Sequence, residues 1–408
     1  MVLPPTLNTQ STIAPKQSKW LLLCVLIFLC CNLRAPLTTI DPLIGLIEKD
    51  LHISKETAGL FALMPVGVLG VASIFAPRIA RYMSIWRMIF LFQLITIVGM
   101  IWRSYGGYVG MLGGTLVLGI GLGIIGSAIP GFVKSHFPRS APRLIGAYSG
   151  LLGLSTAISA ALALPIAQST GSWRFSLVFW AIPLGLCAVL WFIYFTKNKV
   201  EKSAPPVKTD MKVVLRNSTA QTITLFYILR VSGAYFCITW ITLLLKNRGL
   251  EADQAGLVLS ILSISQVPAS FFAHWIAIKL GSGFRLVFWS ALLSSGALWG
   301  IMYLPFYFCI PFGIIIGLGI GAIAARGMTL MVVKTKDPIS ALSLSGMVQG
   351  AGFIGGAGLA LGLSKLIDQT SNFWIYCSLY LLINIMITYF AYRCDRSEPI
   401  PMSTSPSA

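Results

Sequence analysis

Acidic residues are scarce in this chain: 12 Asp and Glu stand among 408 residues, against 30 Lys and Arg. None of the 12 falls inside a long apolar stretch. Asp41, Glu48, Asp50, Glu56, Glu251, Asp253 and Asp368 lie on one side of the apolar alternation, and Glu201, Asp210, Asp337, Asp395 and Glu398 on the other. A carboxylate proton relay inside the membrane is therefore not indicated. The 3 histidines are scattered, no paired carboxylates occur, and no glycine-rich phosphate loop is found, so ATP-driven transport and metalloproteolysis both lack support and no enzyme is expected. The 8 cysteines sit in or beside apolar segments with neither metal nor disulfide spacing. They read as small buried hydrophobes, and no cofactor or metal is expected.

What is abundant is apolar sequence. The chain is 56% hydrophobic and only 10% charged, with a mean hydropathy of +0.82, which excludes a soluble protein with one core and makes this a polytopic membrane protein. Apolar stretches fall at 20–40, 57–77, 85–104, 109–134, 143–167 and 174–196, and again at 218–245, 254–278, 285–304, 308–333, 339–364 and 373–393. Each is long enough to cross a hydrocarbon core of ~30 Å at ~1.5 Å per residue. The expected fold is an all-α membrane protein of twelve transmembrane helices in two six-helix halves. Residues 1–18 form an N-terminal tail, 19–196 the first half, 197–217 a polar connector, 218–393 the second half and 394–408 a C-terminal tail. The first apolar stretch lacks a small-residue cleavage site and reads as a retained anchor. Asp41 to Thr57 reads as a polar outer loop, with Asp41-Pro42 ending the helix before it.

The formal charge of +18 is topology, not a nucleic-acid partner. Twelve crossings put 20 of the 30 Lys and Arg on the side of the termini, 7 on the other and 3 within spans. By the positive-inside rule both termini are expected in the cytoplasm, in a multi-pass protein of the plasma membrane, as in a bacterial inner membrane.

The halves also repeat in sequence. Leu33-Arg34 returns as Leu229-Arg230, Ile120-Gly121-Leu122-Gly123-Ile124 as Ile316-Gly317-Leu318-Gly319-Ile320, and Ser149-Gly150 as Ser345-Gly346, all 196 residues later. Ala58-Gly59-Leu60 returns as Ala255-Gly256-Leu257, one residue further on. Repeats of this length mark transporter folds with the substrate site between the halves.

Three arginines, Arg34, Arg230 and Arg326, lie within spans. A charge there is tolerated only facing protein or a water-filled cavity, so each is a candidate substrate ligand. With no carboxylate in the spans, the natural counter-charge is an anion, held by the planar guanidinium fork. Asn32, Tyr227 and Gln349 are polar groups that can complete the pocket. Pro36, Gly123, Gly319 and Gly346 are candidate hinge or gating positions, since small residues let helices slide closely past one another. Arg103, at an outer helix end, reads as a snorkelling anchor.

The motifs Asn32-Leu33-Arg34 with a nearby proline, Ala58-Gly59-Leu60 ahead of Met64-Pro65, Pro130-Gly131-Phe132-Val133-Lys134, Gly146-Ala147-Tyr148-Ser149, Gly171-Ser172-Trp173-Arg174 and Leu344-Ser345-Gly346-Met347 resemble the cyanate and 2-nitroimidazole permease family of the major facilitator superfamily. The chain departs from that pattern where Ala35 precedes Pro36, at Asp41, in a loop between spans two and three without an acid, and in having Arg230 and Arg326. The resemblance implies a secondary transporter in the lipid bilayer, working as a monomer by alternating access on a small-molecule substrate. Joined to the cationic spans, it makes a cyanate-like or small organic anion the expected substrate. The alternatives are efflux of a small neutral nitroaromatic or drug-like compound, exchange of organic anions or phosphate, and a sensor that binds without flux.

Overall fold

The computed structural model describes residues 16–198, 211–370 and 373–400. Among these, all regular structure is helical. The first half comprises α1 (Lys16–Asn32), α2 (Ala35–Thr38), α3 (Ile44–Leu51), α4 (Lys55–Ile79), α5 (Ile85–Tyr105), α6 (Gly107–His136), α7 (Ala141–Thr170), α8 (Trp173–Val178) and α9 (Ala181–Asn198). Then come α10 (Met211–Arg216), α11 (Ser218–Asn247), α12 (Ala252–Lys279), α13 (Gly283–Tyr303), α14 (Cys309–Val333), α15 (Pro338–Thr370) and α16 (Phe373–Arg396). Eleven helical stretches among the described residues are long and apolar enough to cross a membrane. The twelfth crossing is α4, whose apolar part is Met64–Ile79. Short polar caps start the spans: Ser54 accepts from Thr57 N, Asn217 from Ala220 N and Ser282 from Arg285 N. Glu251 and Gln254 form a capping box on α12. At the other end of α7, Gly171 takes φ 67°, a left-handed stop that needs glycine.

Three boundaries differ from the sequence expectation. Asp41 to Thr57 is not an open loop: a 3₁₀ turn at Asp41–Leu43 leads into α3 and then α4. Ile40, Leu43 and Ile47 are fully buried there with Phe61, Met111 and Trp173 in a separate small core. Apolar residues among the polar ones made this segment fold. Span six is broken at Phe179-Trp180, between α8 and α9. The connector expected at 197–217 ends in α10, its residues 199–210 lying outside the described ones. Of the two tails, residues 1–15 and 401–408 are likewise outside them. The chain after α16 folds back, with Ile400 2% exposed and its N–H donating to Lys334 O at 2.8 Å.

The halves meet through α4 and α6 against α15, and through α7 against α12 and α14. This contact is tight toward the membrane face that carries the termini, the terminal face. A Cβ on Gly346 would lie 2.7 Å from Ser73 O, one on Gly131 2.8 Å from Pro338 O, and one on Gly150 2.5 Å from Phe271 Cδ2. Across the same face Lys134 Nζ, at the end of α6, donates to Val332 O at 2.8 Å, to Thr335 Oγ1 at 2.9 Å and to Thr335 O. Toward the far face a Cβ at Gly67, Gly358 or Gly362 would meet nothing within 4 Å, so the glycine-mediated close packing between the halves is concentrated at the terminal face.

Equivalent contacts give the true register of the repeat. Ser73 donates to Gly123 O and Ser270 to Gly321 O, 197 residues apart at the serines and 198 at the glycines. Gly146 and Gly150 meet Ser270 and Phe271, as Gly346 and Gly350 meet Ser73 and Ile74, 200 apart. The repeat is real, but the matches at 196 in spans four and five are out of step by two and four residues. Glycine-dense helices supply similar strings at several offsets, and unequal loops shift the register along the chain.

Candidate functional site

Span one does not run straight through. The Pro36 ring excludes the carbonyl four residues before it, Asn32 O, so α1 stops at Asn32 and α2 restarts at Ala35. Arg34 occupies the break at φ −95°, ψ −22°. Ala35 N, at the start of α2, donates to Ser155 Oγ of α7 at 3.1 Å, and the hydroxyls of Thr38 and Ser159 pair at 2.7 Å. Arg103 Nη1 donates to Pro36 O at 2.7 Å. The break is thus fixed from α5 and α7 rather than free to bend.

Its guanidinium enters a cavity between the halves. The walls are Leu33, Arg34 and Leu37 from span one, Leu69 from α4, Leu122 and Gly126 from α6, and Tyr148 and Leu152 from α7. Met328 of α14 and Gln349 and Phe353 of α15 close the other side. The free volume is about 20 Å³, on a measure in which one water needs about 10–15 Å³. Among the described residues no carboxylate lies within ion-pair distance of Arg34. Its Cζ instead stands 5.6 Å from the centroid of the Phe353 ring, a cation–π contact. Gln349 is 2% exposed, and its Nε2 donates to Ser345 Oγ at 2.7 Å and across the halves to Gly126 O at 3.2 Å. The absent side chain of Gly126 makes room here: a Cβ on it would lie 3.4 Å from Gln349 Oε1 and 3.7 Å from the Tyr148 hydroxyl.

Of the residues expected at the site, Arg34 and Gln349 line this cavity. Tyr227 and Arg230 lie one layer behind it. Tyr227 is fully buried, edge-on to Phe353 with centroids 6.2 Å apart, its hydroxyl donating to Met328 Sδ at 3.7 Å. Arg230 stacks on Tyr227, with Cζ 3.9 Å from the ring centroid, and its buried Nε has no protein partner. Arg34 thus packs on Phe353 and Arg230 on Tyr227, and of the two only Arg34 lines the cavity. Asn32 is 4% exposed and turns its Nδ2 back to Phe28 O at 2.7 Å, away from the lining.

Arg326 is elsewhere. It forms an ion pair with Asp395 at the end of α16, and Asp395 also accepts from Phe284 N at 2.8 Å. Asp395 lies past the apolar run in sequence, but folding brings it onto α14, so this cation is neutralised and is not a cavity ligand. Beside it Lys334 donates to Asp395 O at 3.1 Å. Burial holds the Lys334 ammonium below its usual range, with the Asp395 carboxylate opposing that shift.

Among the candidate hinges, only Gly346 packs between the halves. Gly123 packs on Leu69 and Ala72 of α4 and Gly319 on Ser290 and Ser294 of α13, both within their own half, while Pro36 is buried and clamped. Sequence reasoning missed Tyr148, Phe353 and Met328 as cavity walls. Tyr148 sits in the motif Gly146-Ala147-Tyr148-Ser149 and was within reach; Phe353 and Met328 are apolar residues in apolar helices and carry no signal of their own. All eight cysteines are free, and no metal-binding cluster occurs among the described residues.

Comparisons with known proteins agree with this architecture. Over 397 residues the chain is 24% identical to the 2-nitroimidazole transporter of Escherichia coli (strain K12), covering 96% of this chain and 100% of that one. It is 24% identical over 352 residues to the cyanate transport protein CynX of the same organism, covering 86% and 91%. A crystal structure of the major facilitator superfamily transporter FucP superposes with a TM-score of 0.72 at 14% identity, covering 93% of this chain and 100% of that one. The family model of the Major Facilitator Superfamily matches residues 22–331, and with this fold the chain belongs to that superfamily of membrane transporters.

Proposed function

We propose that this protein moves a small monovalent anion across the membrane by alternating access, with Arg34 as the residue that binds the charge. The observation that carries the reading is Arg34 itself, a guanidinium without a carboxylate partner in an otherwise uncharged cavity between the halves. One cation balances one negative charge. A divalent anion would keep a charge uncompensated among leucines, and the desolvation cost grows steeply with charge. The narrow cavity favours a ligand of a few atoms, with the Tyr148 hydroxyl as a hydrogen-bond donor and Phe353 as a flat wall. Names of relatives point the same way, a cyanate transport protein and a nitrite extrusion protein of Bacillus subtilis (strain 168) among them.

The excess of Lys and Arg on the terminal face supports its placement in the cytoplasm and the protein's in the plasma membrane. Lys134 and Gly131 then seal the cytoplasmic side. A second reading, efflux of a neutral nitroaromatic, draws on the aromatic wall of Phe353 and Tyr148 and on the 2-nitroimidazole transporter.

The test is uptake into liposomes of cyanate, nitrite and formate beside a neutral 2-nitroimidazole, with and without a pH gradient. Saturable anion uptake that is lost in Arg34→Ala supports the proposal. Flux of the neutral compound alone overturns it in favour of the second reading, and anion binding without flux would make the chain a sensor.

A further inference from the structure

Arg103 is at odds with its position in the sequence. It closes the last turn of α5 and is 0% exposed, with a single hydrogen bond, to Pro36 O. Its Nε and Nη2 are buried without a protein partner, and no carboxylate among the described residues is within ion-pair distance. A guanidinium buried in this way is costly, so a fold that retains it uses it. Its anchor is stiff: a Cβ on Gly114 of α6 would lie 2.3 Å from Arg103 N, which sets the two backbones in contact.

The group it holds is two residues from Arg34. Because α2 ends at Thr38, the N–H that would reach Pro36 O in a continuous helix, that of Ile40, lies outside α2. Arg103 supplies the missing donor on one side of the break, and Ser155 supplies an acceptor for Ala35 N on the other.

We infer that Arg103 is a positioning residue for Arg34: by holding Pro36 O it fixes the break that aims the Arg34 guanidinium into the cavity. This rests on Arg34 as the anion ligand. Ser155→Ala is the neutral counterpart, since it loosens the same break without changing charge.

Anion uptake by wild type, Arg103→Met, Arg103→Lys and Ser155→Ala would be measured in liposomes, with hydrogen exchange of the peptide from Leu33 to Ile40 in detergent without substrate. The expected result is a KM raised about tenfold in Arg103→Met, the loss of one charged hydrogen bond, with Vmax near wild type. Ser155→Ala should raise KM in the same direction, Arg103→Lys should recover most of the loss, and exchange should quicken in that peptide in Arg103→Met but not in α13. An unchanged KM together with a reduced folded yield overturns the inference and makes Arg103 structural. A full rescue by lysine with no effect of Ser155→Ala also overturns it and makes its charge the active property. If wild type carries no anion, the functional reading fails while the exchange measurement still decides: unaltered exchange in Arg103→Met, or in Arg103→Lys against wild type should Arg103→Met not fold, with Ser155→Ala equally silent, overturns the clamp.

Discussion

Truncating Arg34 to alanine removes the one cation that lines the cavity, and the structure allows its effect to be sized. A unit charge about 4 Å from the guanidinium gains about 4 kcal/mol at an effective dielectric constant of about 20. Stripping water from the anion takes back part of that, leaving about 1.5–3 kcal/mol, the usual net value of a hydrogen bond to a charged group. At about 1.4 kcal/mol per decade this raises KM about 10- to 150-fold. Folding should be little affected, because Arg34 has no carboxylate to leave stranded and loses only its contact with Phe353, worth about 0.5–1 kcal/mol. Arg34→Lys keeps the charge without the planar fork and should fall between. The assay is initial uptake of radiolabelled cyanate into liposomes, with melting temperature followed in detergent. A KM for Arg34→Ala within about twofold of wild type would refute the assignment of the charge-binding role.

Other substitutions separate the site from its surroundings. Arg326→Met should leave KM unchanged but lower the melting temperature by stranding Asp395, and adding Asp395→Asn should restore part of it; a raised KM would return Arg326 to the binding site. Gly346→Ala should destabilise the closed terminal face, since its Cβ would meet Ser73 O at 2.7 Å, whereas Gly358→Ala meets nothing within 4 Å and should be silent. Spin-label distances across the terminal face would check both, and equal effects would refute the packing argument. Lys134→Ala deletes the bonds to Val332 and Thr335; at about 1.5–3 kcal/mol for a charged donor it should populate the terminal-open form by at least about tenfold. An unchanged distance distribution would mean that helix packing alone seals that face. Gln349→Leu should loosen α6 from α15 by removing the bond to Gly126 O, and unaltered spin-label distances between those two helices would dismiss it as a tie between the halves.

Most of the fold was legible because a membrane span announces itself: about 20 apolar residues in a row have few alternatives. The failures share a cause in short-range ambiguity. Asp41 to Thr57 carried enough charge to look like a loop, yet Ile40, Leu43 and Ile47 are spaced to bury one face, and a small core against Phe61 and Trp173 makes the segment helical. The repeat was detected through glycine strings at 196, although the serine-to-carbonyl bonds of Ser73 and Ser270 place it at 197 and 198. A glycine string has several nearly equivalent alignments in a glycine-rich helix; a hydrogen bond has one.

The site was legible to the extent that its chemistry contrasts with its surroundings. Arg34 stands out in an apolar run and lines the cavity; Arg326 stands out equally and does not, because an ion pair with Asp395 depends on where α16 ends against α14. Arg103 shows the reverse error. At a helix end it resembles a residue reaching for solvent, but the broken span beside it exposes a carbonyl, and the guanidinium turns inward. The two ends of α2 therefore account for the two arginines. Pro36 breaks span one ahead of α2, which frees Arg34 from a continuous helix wall to enter the cavity, and the end of α2 at Thr38 leaves the Pro36 carbonyl without the Ile40 N–H and free for Arg103. A chain with leucine at position 36 would regain the bond to Asn32 O and re-aim Arg34 along the helix surface, yet would still present the carbonyl of residue 36 to Arg103, because the end of α2 at Thr38 is untouched.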